Sequence, residues 1–413
     1  MFKHVFALLV ALTLGAAVAG TASAARHIVV LDEGVNPDAV AAYHEGFAGV
    51  TVVHRYRHAL NGYAAEMTPA ALAAVKNDRR IASVSADRVF RATAQTLPTG
   101  INRIDGEFSS TASGNGSGSV NVNVAVIDTG IDPSHPDLNV VGGVDCAPGI
   151  GFNDLNGHGS HVAGTIAAKD DGNGVVGVVP GANLYAVKVL NDAGVGLTTD
   201  IICGIDWVTG TRTDANPAND IVVANMSLGG GGTDDNNCGN SNNDAYHRAI
   251  CNSTAAGVTH VVAAGNDGVD FRSTAPATYG EVLTVTAIAD FNGQPGGGAA
   301  STCRSDVDDT EANFSNFAVL AADQNHTIAA PGTCIFSTSM LGGYATLSGT
   351  SMASPHVAGV AALCISTGAC TGTPAQIISK LRADAQSYTS ANPGYGFTSP
   401  AGRFYGSLTR ASY

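Results

Sequence analysis

Three polar residues lie at points where a chain of alternating strands and helices would place reactive groups. Asp128 ends the apolar stretch VAVID, His158 opens the helical stretch HGSHVAGTIAA, and Ser351 opens SMASPHVAGVAALCI. A serine hydroxyl is a weak nucleophile at neutral pH, and it needs an imidazole base that a buried carboxylate orients. The sequence therefore contains the parts of a nucleophilic serine site, provided that the fold brings them together.

The elements that must position these residues alternate from about residue 94 onwards. Stretches such as VNVAVIDTGI and DIVVANMSL are short continuous apolar runs, which are typical of strands buried on both faces. Helical stretches follow them in turn, so the pattern predicts an α/β domain with a mainly parallel central sheet. Its active site is expected beyond the carboxyl ends of the strands, where the strand-to-helix loops gather.

The first 93 residues have a different organisation. Residues 1–24 are typical of a secretory signal peptide, with an apolar run after Lys3 and a small-residue cleavage site at Ala22-Ser23-Ala24. A membrane anchor is disfavoured because the run is shorter than the roughly 20 residues that a spanning helix needs. Residues 25–93 show a β-α-β-β-α-β order, which predicts a small α+β unit of the ferredoxin-like type.

Composition excludes several classes of protein. The 413 residues are 45% hydrophobic and only 13% charged, and the net charge of −14 lies mainly after residue 93, which argues against nucleic acid and anionic membranes as partners. We expect a monomeric extracellular protein with no stable membrane association. The 8 cysteines all lie between Cys146 and Cys370, and without a C-x-x-C pair they indicate disulfides rather than a zinc site.

Each motif also has a less specific interpretation. The DTG at Asp128 is found in aspartic peptidases, but these need a second such motif, and none follows. No serine is at the centre of G-x-S-x-G, which excludes an α/β-hydrolase. The dinucleotide-like GNGVVG at residues 172–177 follows a helix, so phosphates would have no helix start to bind. A non-catalytic extracellular binding module remains an alternative, although such a module would be expected to have lost part of the triad.

Four stretches in this order, VIDTGID, GHGSHVAGT, AAGN and GTSMASPHVAG, resemble the signature stretches of the subtilisin-like serine endopeptidases. The resemblance covers about residues 94–400 and is nearest to the secreted, disulfide-bearing proteinase K-like branch. It implies a three-layer fold in which Ser351 attacks the scissile carbonyl, His158 moves the proton and Asp128 orients the imidazole. Asn266 of AAGN would donate its amide to the oxyanion. The helix start would add the N–H of Ser351, with Pro355 tolerated in the first turn.

The resemblance also implies a cleft for protein and peptide substrates. SLGG, with Ser227, Leu228 and Gly229, would line one side, and GVG, from Gly194 to Gly196, would line the other. An extended peptide can pair with such strand edges. SLGG and AAGN contain no charged residue, so the expected P1 preference is for a neutral, apolar side chain.

Calcium is the expected cofactor. The turn AKDDGNGV offers hard oxygen ligands from the Asp171 carboxylate and from main-chain carbonyls, and its spacing differs from that of an EF-hand. By resemblance, Gln95 and Asp137 would complete the site. The full predicted set is Gln95, Asp137, Lys169, Asp171, Asn173 and Val175.

The cysteines are expected to form four disulfides. The resemblance brings the segments of Cys146 and Cys203 together, and local spacing suggests the remaining pairs: Cys238 with Cys251, Cys303 with Cys334, and Cys364 with Cys370.

Residues 25–93 resemble the inhibitor-type (I9) prosegment of the same family, which assists folding and then blocks the cleft. Its last residues, FRAT, would occupy the substrate site. Cleavage before Ala94 would place Phe90 at P4 and leave residues 94–413 as the peptidase domain.

Overall fold

The computed structural model describes residues 24–87, 95–147, 149, 151–397 and 399–413. The predicted signal peptide, apart from Ala24, and the FRAT segment therefore lie outside the described residues. The chain divides into two units, Met1–Ala92 and Thr93–Tyr413.

The described residues of the first unit form four strands and two helices. In chain order they are β1 (Ala25–Leu31), α1 (Pro37–Glu45), β2 (Val50–Tyr56), β3 (Gly62–Met67), α2 (Pro69–Lys76) and β4 (Ile81–Ala86). The strands form an antiparallel sheet in the order β2-β3-β1-β4. Both helices begin with proline after a capping residue, Asn36 or Thr68, whose side chain accepts main-chain N–H groups of the first turn. The predicted β-α-β-β-α-β order is confirmed.

The second unit alternates strands and helices, as predicted. Its elements are α3 (Thr99–Arg103), β5 (Asn123–Asp128), β6 (Val140–Asp145), α4 (His158–Ala167), β7 (Asn183–Lys188), α5 (Thr198–Thr213), β8 (Val223–Met226), β9 (Gly230–Gly231), α6 (Ala245–Ala255), β10 (Thr259–Ala263), β11 (Thr274–Ala275), β12 (Leu283–Ala289), β13 (Thr310–Glu311), α7 (Ala321–Gln324), β14 (Thr327–Pro331), β15 (Ile335–Thr338), β16 (Tyr344–Leu347), α8 (Thr350–Ser366) and α9 (Pro374–Ala391).

Eight of these strands form the central sheet. The order is β13-β12-β10-β8-β5-β7-β6, with β14 also paired to β12, and among the described strands only the β12–β13 pairing is antiparallel. The mainly parallel sheet is thus confirmed. Such a sheet gathers the carboxyl ends of neighbouring strands at one edge, which places the end of β5 beside those of β7 and β8.

Helices cover both faces of this sheet. Along β5, Val124 and Val126 belong to a hydrophobic cluster that includes residues of α4, α8 and α9, whereas Ala125 and Ile127 belong to one that includes residues of α5 and α6. Successive strand residues point to opposite faces, so a strand buried on both sides must be apolar throughout. This explains the uninterrupted apolar run that ends at Asp128, and it gives the three-layer arrangement.

Helix α8, which carries Ser351, lies deep in the core. Fourteen of its 17 residues are buried, which explains its uncharged sequence. Its small residues allow close packing: a Cβ on Gly359 would lie 2.5 Å from the Cβ of Val178. Within the described ranges, no helix combines the length and the apolarity needed to cross a membrane.

Four disulfides link the cysteines. The structure pairs Cys146 with Cys203, Cys238 with Cys251, Cys303 with Cys334, and Cys364 with Cys370. These are the same pairs that were expected above. The Cys146–Cys203 bond joins the end of β6 to α5 and closes the longest loop, with a sequence separation of 57.

Candidate active site

The end of β5 and the start of α4 bring a carboxylate and an imidazole together. Asp128 is fully buried, and its Oδ1 lies 2.8 Å from Nδ1 of His158, whose side chain remains 28% exposed. The same Oδ1 accepts the N–H of Thr129 at 2.7 Å. A carboxylate held in this way fixes the ring orientation and favours the proton on Nδ1, which leaves Nε2 as the free base.

Two opposing effects act on the pKa of His158. Burial lowers the pKa, but the negative charge and the hydrogen bond of Asp128, with a further contribution from Asp154, outweigh it and raise the pKa above its ordinary value. The imidazolium is therefore stabilised, as a proton-accepting base requires.

Ser351 lies in the first turn of α8. Its Oγ donates to the main-chain carbonyl of Ser227 at 3.3 Å, and Ser227 Oγ donates to the carbonyl of Ser351 at 2.8 Å. Pro355 lies in the second turn and not in the first, so the prediction for this residue is wrong in position. Because proline has no N–H to bond to the carbonyl four residues earlier, the carbonyl of Ser351 is left for Ser227.

The amide of Asn266 is held from one side. Its Oδ1 accepts the N–H of Thr350 at 2.8 Å and the hydroxyl of Thr350 at 3.0 Å. The two donors engage the oxygen of the amide and leave Nδ2 as the end available to a ligand. Asn266, Thr350 and Ser351 all line one cavity of about 510 Å³.

A second cavity of about 530 Å³ adjoins the first. It is lined by His158, by Gly194, Val195 and Gly196, and by Ser227, Leu228 and Gly229. Leu228 and Gly229 line both cavities. The structure thus brings the predicted substrate-binding segments to one cleft, with His158 on one side of SLGG and Ser351 on the other.

The cleft also contains an acidic residue that was not predicted from the sequence. Asp267 follows AAGN directly and lines the same cavity as Ser351 and Gly229 to Gly231. Its side chain is exposed, so its field is moderated by water. Its place in the sequence, directly after the AAGN motif, is the signal that could have identified Asp267.

Two buried charged residues near Asp128 and His158 were also not predicted. Asp154 accepts five hydrogen bonds from residues around Asp128 and His158. Lys188, on β7, is 2% exposed and donates to the carbonyl of Thr129 at 2.7 Å and to Asp192 at 2.9 Å. In the sequence, neither the residue type nor the spacing distinguishes Asp154 or Lys188 from charged residues at the surface.

Most of the predicted calcium ligands come together beside the turn after α4. Gln95 Nε2 donates to the carbonyls of Lys169 (2.8 Å) and Val175 (3.2 Å), and Asp137 Oδ2 accepts the N–H of Val175 at 2.9 Å. Asp171 and Asn173 are exposed, and Asp171 Oδ1 accepts the N–H and the side-chain amide of Asn173.

This ligand set fits a hard cation. Gln95 Oε1 and Asp137 Oδ1 are buried oxygens with no hydrogen-bond partner in the described part of the chain. Burial raises the pKa of Asp137 to about 6. Carboxylate, amide and main-chain oxygens are the ligands that Ca²⁺ prefers. Gln95 presents its amide nitrogen to the carbonyls, so its oxygen would serve as a ligand only after a half-turn of the amide.

Two other clusters of potential metal ligands occur in the described residues. In one, Cys238 and Cys251 lie near Glu281, but the two sulfurs are already bonded to each other. In the other, buried His247 faces Asp234 and Asp235 and makes a 2.9 Å contact with Glu281. Burial lowers the pKa of His247, but Glu281 and the two aspartates outweigh burial and raise it. The three carboxylates therefore favour a proton on the imidazole, although Nδ1 has no hydrogen-bond partner among the described residues.

Two models of known protein families match this chain. The model of the subtilase family matches residues 119–398, and the model of peptidase inhibitor I9 matches residues 26–93. The chain is 38% identical to subtilisin DY of Bacillus licheniformis over 277 residues, which span 66% of this chain and 86% of that protein. It is 37% identical to M-protease of Shouchella clausii (strain KSM-K16) over 299 residues, 72% of this chain and 67% of that protein.

A solved structure is similar as well. The crystal structure of a cold-adapted subtilisin-like serine proteinase superposes with a TM-score of 0.56 at 30% identity, covering 77% of this chain and 99% of the other.

Proposed function

The chain belongs to the subtilase family and is a subtilisin-like serine endopeptidase, and on that premise we propose that Asp128, His158 and Ser351 form its catalytic triad. The observation that carries the assignment is the 2.8 Å hydrogen bond between Asp128 and Nδ1 of His158, at the edge of a cleft that also contains Ser351. Two elements distant in sequence supply this pair, and a third supplies the nucleophile.

The reaction follows from these positions. Nε2 of His158 accepts the proton as Ser351 Oγ attacks the scissile carbonyl, and Asp128 stabilises the imidazolium that forms. His158 then gives the proton to the leaving amine, and an acyl-enzyme remains on Ser351. A water molecule, deprotonated by the same imidazole, attacks the acyl carbonyl, and the imidazolium returns its proton to Ser351 Oγ as the acid product leaves. The acyl-enzyme divides one difficult hydrolysis into two easier steps.

The oxyanion of each tetrahedral intermediate would be bound by Nδ2 of Asn266 and the N–H of Ser351. The hydrogen bonds from Thr350 to Asn266 Oδ1 support this role, because they fix which end of the amide is free. Donors that are already oriented need no reorganisation when the charge develops. The N-terminus of α8 adds a favourable dipole at the same place.

Substrate would lie extended between the segments at residues 194–196 and 227–229. Its P1 side chain would enter the cavity of about 510 Å³, whose lining includes Gly229, Gly230, Ala263 and Gly265. These small residues favour a broad preference for neutral and apolar P1 side chains. Asp267 at the same cavity adds tolerance for a basic one.

A structural calcium ion is the proposed cofactor. The candidate ligands are Gln95, Asp137, Asp171 and the carbonyls of Lys169, Asn173 and Val175. The ion would supply positive charge to the buried Asp137 Oδ1, which lacks a partner, and to Gln95 Oε1 after a half-turn of its amide. It would so join the turn after α4 to the residues before α3.

The N-terminal 93 residues are proposed to serve export and regulation. An I9 domain in the same chain as a peptidase implies intramolecular inhibition by the prosegment. We assign residues 1–24 to a signal peptide and residues 25–93 to the prosegment, with cleavage before Ala94. We further propose that the mature product is a secreted monomer of the proteinase K-like branch. The four disulfides support secretion, because they suit an oxidising compartment.

The triad is tested with Ser351→Ala, and with Ser366→Ala at the far end of α8 as the matched control. We expect casein hydrolysis to fall to background in Ser351→Ala and to stay unchanged in the control. A serine-directed sulfonyl fluoride should abolish the wild-type activity, and pepstatin should have no effect. Undiminished cleavage by Ser351→Ala would overturn the assignment. Mass spectrometry of the mature N-terminus tests the start at Ala94.

A further inference from the structure

Asp154 is a buried carboxylate four residues before His158, in the turn that leads into α4. Its side chain is 1% exposed. Oδ1 accepts Thr129 Oγ1 and the N–H groups of Asn156 and Gly157, each at 2.9 Å. Oδ2 accepts the N–H of Ser160 at 2.9 Å and its hydroxyl at 2.7 Å. A buried charge is costly unless hydrogen bonds satisfy it, and both oxygens meet that condition.

The donors to Asp154 are neighbours of both members of the Asp128–His158 pair. Thr129 follows Asp128 directly and donates its N–H to the Asp128 carboxylate at 2.7 Å. Gly157 precedes His158, and Ser160 lies two residues after it. One carboxylate therefore joins the end of β5 to the first turn of α4. Thr129 Oγ1 closes the connection by accepting the N–H of Gly159 at 2.9 Å.

We propose that Asp154 is a positioning residue, which sets the register between Asp128 at the end of β5 and His158 at the start of α4. The inference rests on the proposed triad. Asp154 would not contact substrate. It acts through Thr129 and through the main chain on either side of His158, and it keeps the imidazole at hydrogen-bond distance from Asp128.

The N-terminus of α4 gives a physical reason for a carboxylate at position 154. Gly157 is the N-cap residue of α4 and has no side chain with which to cap it. The carboxylate of Asp154 supplies that cap from three residues upstream, where the helix dipole favours negative charge.

The charge of Asp154 also acts on the base itself. Together with Asp128 it raises the pKa of His158. The other titratable groups nearby are His161, further along α4, and Lys188, which bonds the carbonyl of Thr129. Both stay in place in the variants below.

Asparagine is the informative replacement. It keeps the shape of Asp154 but has one acceptor oxygen, so its NH₂ group must face donors, either those of Ser160 or those of Thr129 and Gly157. The register of β5 and α4 should loosen, and misplacement of a reacting group by about 1 Å can cost on the order of 100-fold in rate. Loss of the negative charge should also lower the pKa of His158.

The experiment measures kcat per titrated active site, KM and the pH dependence of kcat/KM on a peptide substrate. In Asp154→Asn we expect kcat to fall about 10- to 100-fold, KM to change less than about twofold, and the acid limb of kcat/KM to move to lower pH. Asp206→Asn removes one exposed aspartate on α5 and serves as the control, with all three quantities unchanged. Thr129→Val should lower kcat, whereas Thr129→Ser, which retains the hydroxyl, should not.

Two results would overturn the proposal: a kcat in Asp154→Asn within twofold of wild type, or a loss of kcat with an unmoved acid limb, which would indicate a purely structural residue. If Asp154→Asn does not accumulate as folded protein, the test is the comparison of Thr129→Val with Thr129→Ser. Equal kcat values in these two variants would refute the positioning role. Failure of the triad itself is recognised separately, because Ser351→Ala would then remain active.

Discussion

Ser227 and Ser351 exchange two hydrogen bonds: Ser227 Oγ donates to the carbonyl of Ser351 at 2.8 Å, and Ser351 Oγ donates to the carbonyl of Ser227 at 3.3 Å. The first bond exists because Pro355 leaves the Ser351 carbonyl without its usual helical donor. Asn225 on β8 in turn donates to Ser227 Oγ at 2.9 Å. The segment that would bind substrate and the helix that carries the nucleophile are thus joined directly.

Ser227→Ala should destabilise the fold. The substitution leaves the Ser351 carbonyl and the Asn225 amide without this partner, and an unsatisfied buried group costs about 1–3 kcal/mol. We expect the free energy of unfolding to fall by about that amount, measured by chemical denaturation of protein inactivated with a sulfonyl fluoride. Ser366→Ala is the control. An unchanged unfolding curve for Ser227→Ala would contradict the structural role of this bond.

The rate should depend on the protonation of His158. Because Asp128 raises the pKa of His158, and because catalysis needs the neutral imidazole, kcat/KM should be lost on the acid side with a midpoint above the ordinary value of 6.5. Asp128→Asn removes the carboxylate that orients the ring, and kcat should fall on the order of 10⁴-fold. Peptide hydrolysis from pH 4 to 9 measures both. A midpoint at or below 6.5 would be inconsistent with the proposed pair.

The oxyanion site predicts a loss in kcat with little change in KM. Asn266→Ala removes the side-chain donor, and kcat should fall by about 10²–10³-fold. Thr350→Val removes one of the two bonds that orient the amide, so a smaller loss is expected. Steady-state kinetics on one peptide substrate separates the two parameters. A rise in KM with unchanged kcat would mean that Asn266 binds the ground state and has no special role in the transition state.

Calcium removal should lower stability. A site filled at about 100 times its dissociation constant stabilises the fold by about 2.7 kcal/mol, so a chelator should lower Tm by roughly 5 °C in protein inactivated with a sulfonyl fluoride. Calcium should restore the loss better than magnesium, whose smaller octahedral shell fits these carbonyls poorly. Asp137→Asn should make Tm insensitive to the chelator. A chelator effect that persists in this variant would place the ion elsewhere.

The charge on Asp267 should affect P1 selectivity. Asp267→Asn removes an exposed carboxylate at the cavity beside Ser351, so kcat/KM for substrates with Lys or Arg at P1 should fall about two- to fivefold. Matched substrates with Phe or Leu at P1 provide the internal control and should be unaffected. An equal change for all four substrates would indicate a general disturbance of the cleft rather than an electrostatic effect.

The positions of the candidate catalytic residues in secondary structure were predictable. Apolar runs indicate buried strands because both faces of the central sheet are covered, so Asp128 was correctly placed at a strand end. His158 begins α4, and Ser351 lies in the first turn of α8, as their local patterns indicated. These properties depend on residues that are close together in the chain.

Other features depended on contacts between distant segments. Asp154 is one of 34 acidic residues, and only its burial among donors from β5 and α4 distinguishes it. The second-turn position of Pro355 matters because Ser227 lies next to the freed carbonyl. The orientation of the Gln95 amide and the place of Asp267 in the cleft likewise depend on spatial neighbours that a local sequence pattern does not predict.

The amino-acid sequence by itself determined the family resemblance, the order of strands and helices and the residue types available for catalysis, because hydrophobic periodicity and local motifs specify secondary structure. Only the tertiary structure decided which of the many polar groups are buried and which donors satisfy them. Burial and hydrogen bonding depend on distances between atoms in space. The number of residues between Asp128 and His158, or between Thr129 and Asp154, does not determine those distances.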